Sequence, residues 1–255
     1  MGFEELILEK KNGIAEIIFN RPKARNALTA IGLSELVEIL TELKNDKEIN
    51  SVFLRGAGKD FCAGMDLKLA LDAISGNPAE FENNMIPLGP KVYKAMESLD
   101  KPLIALVHGN AIAGGFIMAY FCDLIIASED ARFGDAHAKW GLIPGWHEPQ
   151  RLALSIGVRR AKQFFLTGEI ITAQEAKDVG LVWKVVPEGK LNDALEEWGA
   201  KFAKMSGISL GMMKYQLSTV FKSDWQTMLD IDELFRKDIL AGAFSEDALE
   251  RLKKF

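Results

Sequence analysis

Cysteine and histidine are scarce in this chain, with two and three copies among 255 residues. Cys62 and Cys122 form no CxxC pair, which speaks against a disulfide framework and suits a reducing cytosol. His108, His137 and His147 show no HExxH spacing and stand beside no cysteine pair, so no metal site is expected. An excess of positive charge is missing too. The 31 basic and 36 acidic residues leave −5, which disfavours a nucleic-acid partner while allowing a local basic cluster for a phosphorylated small molecule. No long apolar run is present. The stretch MGFEELILEKKNG carries acids where a signal peptide has bases, and the apolar region 103–127 is broken by His108, Asn110, a glycine pair and Asp123. A cytoplasmic protein with no membrane partner is the expectation. Compositional bias is equally lacking, because 22 Gly and 8 Pro are ordinary and 48% hydrophobic residues are too many for disorder.

What is present is an alternation of strand and helix. Residues 6–8 and 15–19 read as strands joined by the hairpin signal Asn12–Gly13. Thr29 is placed to cap a helix whose apolar positions Ile31, Leu33, Leu36, Val37, Leu40 and Leu43 recur at helical spacing. Apolar strands follow at 51–54, 102–107 and 124–127, a further one starts at 131–133, and a helix opens at Ala113–Gly114–Gly115. This order predicts an α/β fold with a largely parallel sheet. Residues 69–100 read as a helical insertion. From about Leu191 the pattern is helical only, over 191–202, 210–221 and 224–241, with a last short helix toward Phe255. The chain is therefore divided into a core over 1–190 and a helical region over 191–255.

Three segments carry chemical interest. In Phe61–Cys62–Ala63–Gly64–Met65–Asp66–Leu67 small residues let a ligand approach backbone N–H groups. In Gly109–Asn110–Ala111–Ile112–Ala113–Gly114–Gly115–Phe116 a glycine pair opens a helix whose first amides are unpaired, a setting that can hold an oxyanion. Arg21, Lys23 and Arg25 form a basic cluster suited to phosphates. Taken singly, each has an ordinary alternative: close packing, a turn and a solvated loop.

Together, in this order, they resemble the enoyl-CoA hydratase/isomerase (crotonase) superfamily. The matching stretches are NRPKARNAL (20–28), FCAGMDL (61–67), residues 101–134, GLIPG (141–145), residues 150–187 and the helical tail. The resemblance implies a ββα spiral core with a C-terminal helical trimerisation region, in a homotrimer or dimer of trimers. It implies an acyl-CoA thioester substrate, with coenzyme A arriving as part of that substrate and no permanently bound cofactor. The thioester oxygen would lie between the N–H groups of Met65 and Gly114. Ala63, Gly64, Met65, Asp66, Leu67 and Gly114 would line the coenzyme, and Lys23, Ala24 and Arg25 would sit at its phosphates.

The same resemblance locates a departure. Family hydratases use two glutamates, and here those positions hold Ile117 and His137; a further position used by some isomerases is Gly145. His137 can exchange a proton near neutral pH, with Asp135 placed to orient the ring, and the alternative is a hydrogen-bonded histidine of a pocket wall. Glu148 can supply a carboxyl group or act as a surface or helix-capping residue. His108 is read as structural. Trp140, Trp146, Phe116 and the 69–100 segment are candidates for shaping the acyl pocket. The resulting expectation is a lyase or isomerase of fatty-acid-type thioesters that stabilises an enolate without the usual glutamates. A decarboxylase or carbon–carbon lyase, and a non-catalytic thioester binder, stand as alternatives.

Overall fold

A computed structural model describes residues 2–77, 85–146, 148–220, 223–224, 226–231, 233 and 253. Strands β1 (Leu6–Lys11) and β2 (Ile14–Phe19) form an antiparallel hairpin, turning at Asn12 and Gly13, both in the left-handed region at φ 52° and 78°. Helix α1 (Ala30–Asn45) starts where Thr29 Oγ1 accepts the Gly32 N–H at 3.0 Å, as the capping residue implied. Then come β3 (Ser51–Gly56), α2 (Leu67–Gly76), α3 (Leu88–Ser98) and β4 (Leu103–Val107). The insertion is thus helical at both ends, and its residues 78–84 lie outside the described residues.

The short strand β5 (Asn110–Ile112) leads into α4 (Gly114–Tyr120), followed by β6 (Leu124–Ser128) and β7 (Arg132–Gly134). Beyond them lie α5 (Glu148–Ile156), α6 (Val158–Thr167), β8 (Ile170–Thr172), α7 (Ala173–Asp178), β9 (Lys184–Val186), α8 (Leu191–Phe202) and α9 (Gly207–Thr219). Helix α9 begins three residues before the expected start at 210, because Ser206 caps it by accepting the Ser209 N–H at 3.4 Å. Of the expected 224–241 helix, residues 226–231 and 233 are helical; the remainder and most of the final helix lie outside the described residues. No helix among the described residues is long and apolar enough to cross a membrane.

The main sheet has the order β1-β2-β3-β4-β6-β9, parallel from β2 onward. A parallel sheet is stable when both faces are covered, and its strands then read as continuous apolar runs. That is how Val52–Phe53–Leu54 and Leu103–Val107 read. Val52, Leu54, Ala105 and Val107 face one core with Leu33, Leu36, Leu40 and Leu43 of α1. Phe53, Ile104 and Leu106 face a second core with Ile126, Val186, and Leu191, Ala194 and Phe202 of α8. A second, three-stranded sheet β5-β7-β8 pairs β5 with β7 in parallel and β7 with β8 antiparallel.

Phe53 is fully buried between the sheet and α8. Phe53→Ala should therefore cost about 3–5 kcal/mol of stability. Urea unfolding followed by circular dichroism will read this as a lowered midpoint with an unchanged slope.

Candidate functional site

The candidate site forms where two segments far apart in the chain run side by side. After β3 the chain descends through Asp60–Met65, and after β4 it descends through Gly109–Gly114. Phe61 N–H donates to the His108 carbonyl (3.0 Å), Cys62 N–H to the Asn110 carbonyl (3.0 Å), and Ile112 N–H to the Cys62 carbonyl (3.1 Å). A third segment joins them, with Leu28 N–H donating to the Gly64 carbonyl (2.7 Å) and Asp66 N–H to the Leu28 carbonyl (3.0 Å). Approach this close requires glycine. A Cβ on Gly115 would lie 2.0 Å from the Cys62 carbonyl oxygen, and one on Gly109 the same distance from the Lys59 carbonyl oxygen.

Two amides that these bonds leave over lie close together. Among the described residues neither Met65 N–H nor Gly114 N–H donates to a protein acceptor. They are close neighbours, because a Cβ on Gly114 would sit 3.4 Å from the Met65 nitrogen. Ala113, at φ 48° and ψ −117°, holds a conformation that a residue with a side chain rarely adopts. Such a backbone costs on the order of 1–3 kcal/mol, and here it turns the chain from β5 into α4. Cys62 is fully buried in this ladder, and burial pushes its thiol up to about 12, so it is no nucleophile.

Strand β7 runs beside β5 and leads into the turn that holds the proton-transfer candidate. Ile112 pairs with Gly134, and Ala113 N–H donates to the Gly134 carbonyl at 2.9 Å. The strand ends there, so Asp135 meets His137 through a tight turn and not through strand alternation. The Asp135 carboxylate takes His137 N–H at 3.1 Å with one oxygen and contacts Nδ1 with the other. The other ring nitrogen of His137, Nε2, has no protein partner among the described residues.

Glu148 is not at the surface. It opens α5 completely buried, with Oε2 accepting the Trp146 N–H at 2.9 Å and Oε1 without a partner. Burial raises its carboxyl above the ordinary range, opposed by its backbone bonds and by the nearby His137, and Asp135 adds to the rise. Ile117, one turn into α4, is also buried, and its side chain is apolar. Gly145 carries no group at all. His147 lies outside the described residues, and His108 Nε2 meets the Gly58 carbonyl at 3.0 Å, a strand-end contact as expected.

The basic cluster divides. Lys23 is exposed in a 3-10 turn with Ala24, and it has no ion pair among the described residues. Arg21 is engaged with Glu5 (3.2 Å) and with Asp66 (3.0 Å). Arg25 directs Nε and Nη2 at Asp60, at 2.8 and 3.4 Å. Residues 63–66 are bonded to the 21–28 loop, and Leu67 starts α2 with an exposed side chain. Of the pocket aromatics, Phe116 is buried against Phe164 and Trp146 against Gly89, while Trp140 is 64% exposed and faces outward. Sequence reasoning missed Asp60, whose partners lie 35 and 50 residues away.

Comparison with known proteins bears on this geometry. A family model described as enoyl-CoA hydratase/isomerase matches residues 9–251. The chain is similar to a short-chain-enoyl-CoA hydratase of Clostridium acetobutylicum, 35% identical over all of this chain and 95% of that protein. A crotonyl-CoA hydratase of Syntrophomonas wolfei is 32% identical over 91% of this chain and 88% of its own. The crystal structure of an enoyl-CoA hydratase from Bacillus anthracis superposes with a TM-score of 0.90 at 32% identity, covering 98% of this chain and 96% of that one.

The raised carboxyl of Glu148 has a stability consequence. A folded-state value above the unfolded one, about 4.3, means that the fold holds this proton more tightly. The associated stability is complete below that unfolded value and is lost as pH rises through the folded one. Glu148→Gln stays neutral throughout. Its melting temperature relative to the native chain should climb between pH 4 and pH 8 in a thermal-shift series, and a pH-independent difference would contradict the assignment.

Proposed function

The chain belongs to the enoyl-CoA hydratase/isomerase family, and on that premise we propose an acyl-CoA enzyme that stabilises a thioester enolate and moves its proton through His137. The observation that carries this reading is the convergence of two unpartnered amides, Met65 and Gly114, beside a histidine held by a buried aspartate. The thioester oxygen would accept both N–H groups. Donors fixed before reaction stabilise charge as it develops, and one such donor is worth about 3–4 kcal/mol in the barrier.

The proton step follows from which groups remain. His137 Nε2 removes a proton from the carbon next to the thioester, and the electron pair moves onto the carbonyl oxygen. Asp135 stabilises the imidazolium that forms. Returning the proton to the γ-carbon of a 3-enoyl thioester shifts the double bond, so isomerisation needs one titrating group. Hydration asks for a second group to manage water, and Ile117 cannot serve. Glu148, buried within electrostatic reach of His137 and with a free Oε1, is the carboxyl that supports water addition. The hydratase names of the relatives favour keeping that reaction in view. The buried apolar Ile117 supports a second reading, decarboxylation of a malonyl-type thioester, since a dry wall favours loss of a carboxylate.

Coenzyme A enters as part of the substrate, along the loop Ala63, Gly64, Met65, Asp66 and Leu67, with Lys23, Ala24 and Arg25 at its phosphates. The outward-facing Trp140, Ile143, Val158 and Leu166, 57–88% exposed, support assembly as a homotrimer or dimer of trimers.

The test is incubation with crotonyl-CoA, a 3-enoyl-CoA and malonyl-CoA in heavy water, read by mass spectrometry. Deuterium next to the thioester, or at the γ-carbon of the isomerised 3-enoyl ester, with or without gain of water, is the expected result, and His137→Gln should slow it about 10²–10⁴-fold. Unchanged turnover in His137→Gln overturns the role of His137. Binding without any change in the three esters overturns catalysis in favour of a thioester binder.

A further inference from the structure

Asp60 is buried and itself contacts no substrate in the reading above, yet it touches each segment that builds the proposed oxyanion site. Its carboxylate takes four hydrogen bonds. Arg25 supplies Nε at 2.8 Å and Nη2 at 3.4 Å; Asn110 supplies its backbone N–H at 3.0 Å and its side-chain amide at 2.5 Å. The Asp60 carbonyl oxygen accepts Asn26 Nδ2 at 2.7 Å, and the same Nδ2 reaches the Ala57 carbonyl at 2.8 Å. One residue therefore joins three segments: the 21–28 loop, the descent toward Met65, and β5 leading to Gly114.

The electrostatics make this a firm junction. Burial alone would raise the Asp60 carboxyl, but bonds from Arg25 and Asn110 hold it at about 2, so it stays ionised through the physiological range. Bonds to an ionised acceptor are roughly twice as strong as neutral ones. A buried carboxylate stripped of such partners carries the full penalty of its lost hydration.

We propose that Asp60 is a positioning residue that sets the spacing between the Met65 and Gly114 amides by clamping Arg25 and Asn110. Asp60 lies five residues before Met65 and Asn110 four before Gly114, with the Cys62–Asn110 and Ile112–Cys62 bonds between. A slip at the clamp is carried along that ladder to both amides, because the glycine contacts below it leave no clearance. Arg25 then serves the site from within, through Asp60, and its remaining nitrogen is what the coenzyme could meet. This inference rests on the oxyanion reading of Met65 and Gly114.

The experiment uses butyryl-CoA carrying ¹³C at the thioester carbon, a saturated ester with no double bond to hydrate or shift. Infrared difference spectra of the bound ester report how strongly the protein polarises its carbonyl. The native protein should move the carbonyl stretch to lower frequency than in water. In Asp60→Asn the side-chain amide faces the donors of Arg25, the clamp opens, and at least half of that displacement should be lost. With a turned-over ester, kcat should drop about tenfold or more while KM changes less than about threefold, a fraction of the ~10²–10³ lost when a donor itself is removed.

Asn110→Ala removes the side-chain bond of that arm and leaves the Asn110 N–H and the Asp60–Arg25 pair in place, so it replaces Asp60→Asn should that variant not fold; it too should lose part of the displacement. A bound carbonyl unchanged from the native one in either folded variant overturns the proposal. No displacement in the native protein overturns the oxyanion reading and this inference with it.

Discussion

Everything at the site depends on how closely two stretches of backbone approach each other. The chain after β3 and the chain after β4 run in contact from residues 60 to 65 and 108 to 115, joined by three peptide hydrogen bonds. The contact tolerates no side chain at Gly109 or Gly115, since an added Cβ would sit 2.0 Å from a carbonyl oxygen at each. Beside these bonds the Met65 and Gly114 amides are neighbours without a protein acceptor among the described residues. A donor without a partner is costly where water is excluded. Between β5 and α4, next to Gly114, stands a non-glycine residue, Ala113, at positive φ. Unsatisfied donors next to backbone strain are a common mark of a place built to receive something.

Charges are arranged to brace this region before they are available to a ligand. Arg21 is occupied by Glu5 and Asp66, Arg25 by Asp60, and His137 by Asp135. Each pair is partly or wholly buried, where screening by solvent is weak and geometry is well defined. What remains outward for an anion is Lys23 and one nitrogen of Arg25. The basic cluster that looks in sequence like a phosphate clamp is in the folded protein chiefly a set of struts.

Proton-transfer groups in the proposed reading come from separate elements. Ile117 is a buried apolar residue of α4. His137, in the turn after β7, is held against Asp135. Glu148 then enters from a third element, α5, with its free oxygen buried. Acid and base functions need matched proton affinities, and those depend on surroundings more than on residue type. Burial moves Glu148 toward the neutral form, closer to the range in which a carboxyl can act as an acid.

Much of the architecture was legible in the sequence because it repeats locally. The helical spacing of Leu33, Leu36, Leu40 and Leu43, the cap at Thr29, the Asn12–Gly13 turn and the apolar runs of β3 and β4 each declare an element within a dozen residues. The motifs around Met65 and Gly114 declared the family. Strand β5 was not legible, since three residues establish no period and its partners are supplied by the chain elsewhere. Asp60 gave no local sign because its function lies in Arg25 and Asn110, distant in sequence. Glu148 looked like a surface or capping residue until Trp146 and the turn after β7 enclosed it, and Trp140 looked like a pocket residue until the 3-10 turn pointed it outward. Periodicity and capping are short-range properties that a sequence carries on its own; burial, charge pairing and the meeting of two free amides are settled only when distant segments come into contact.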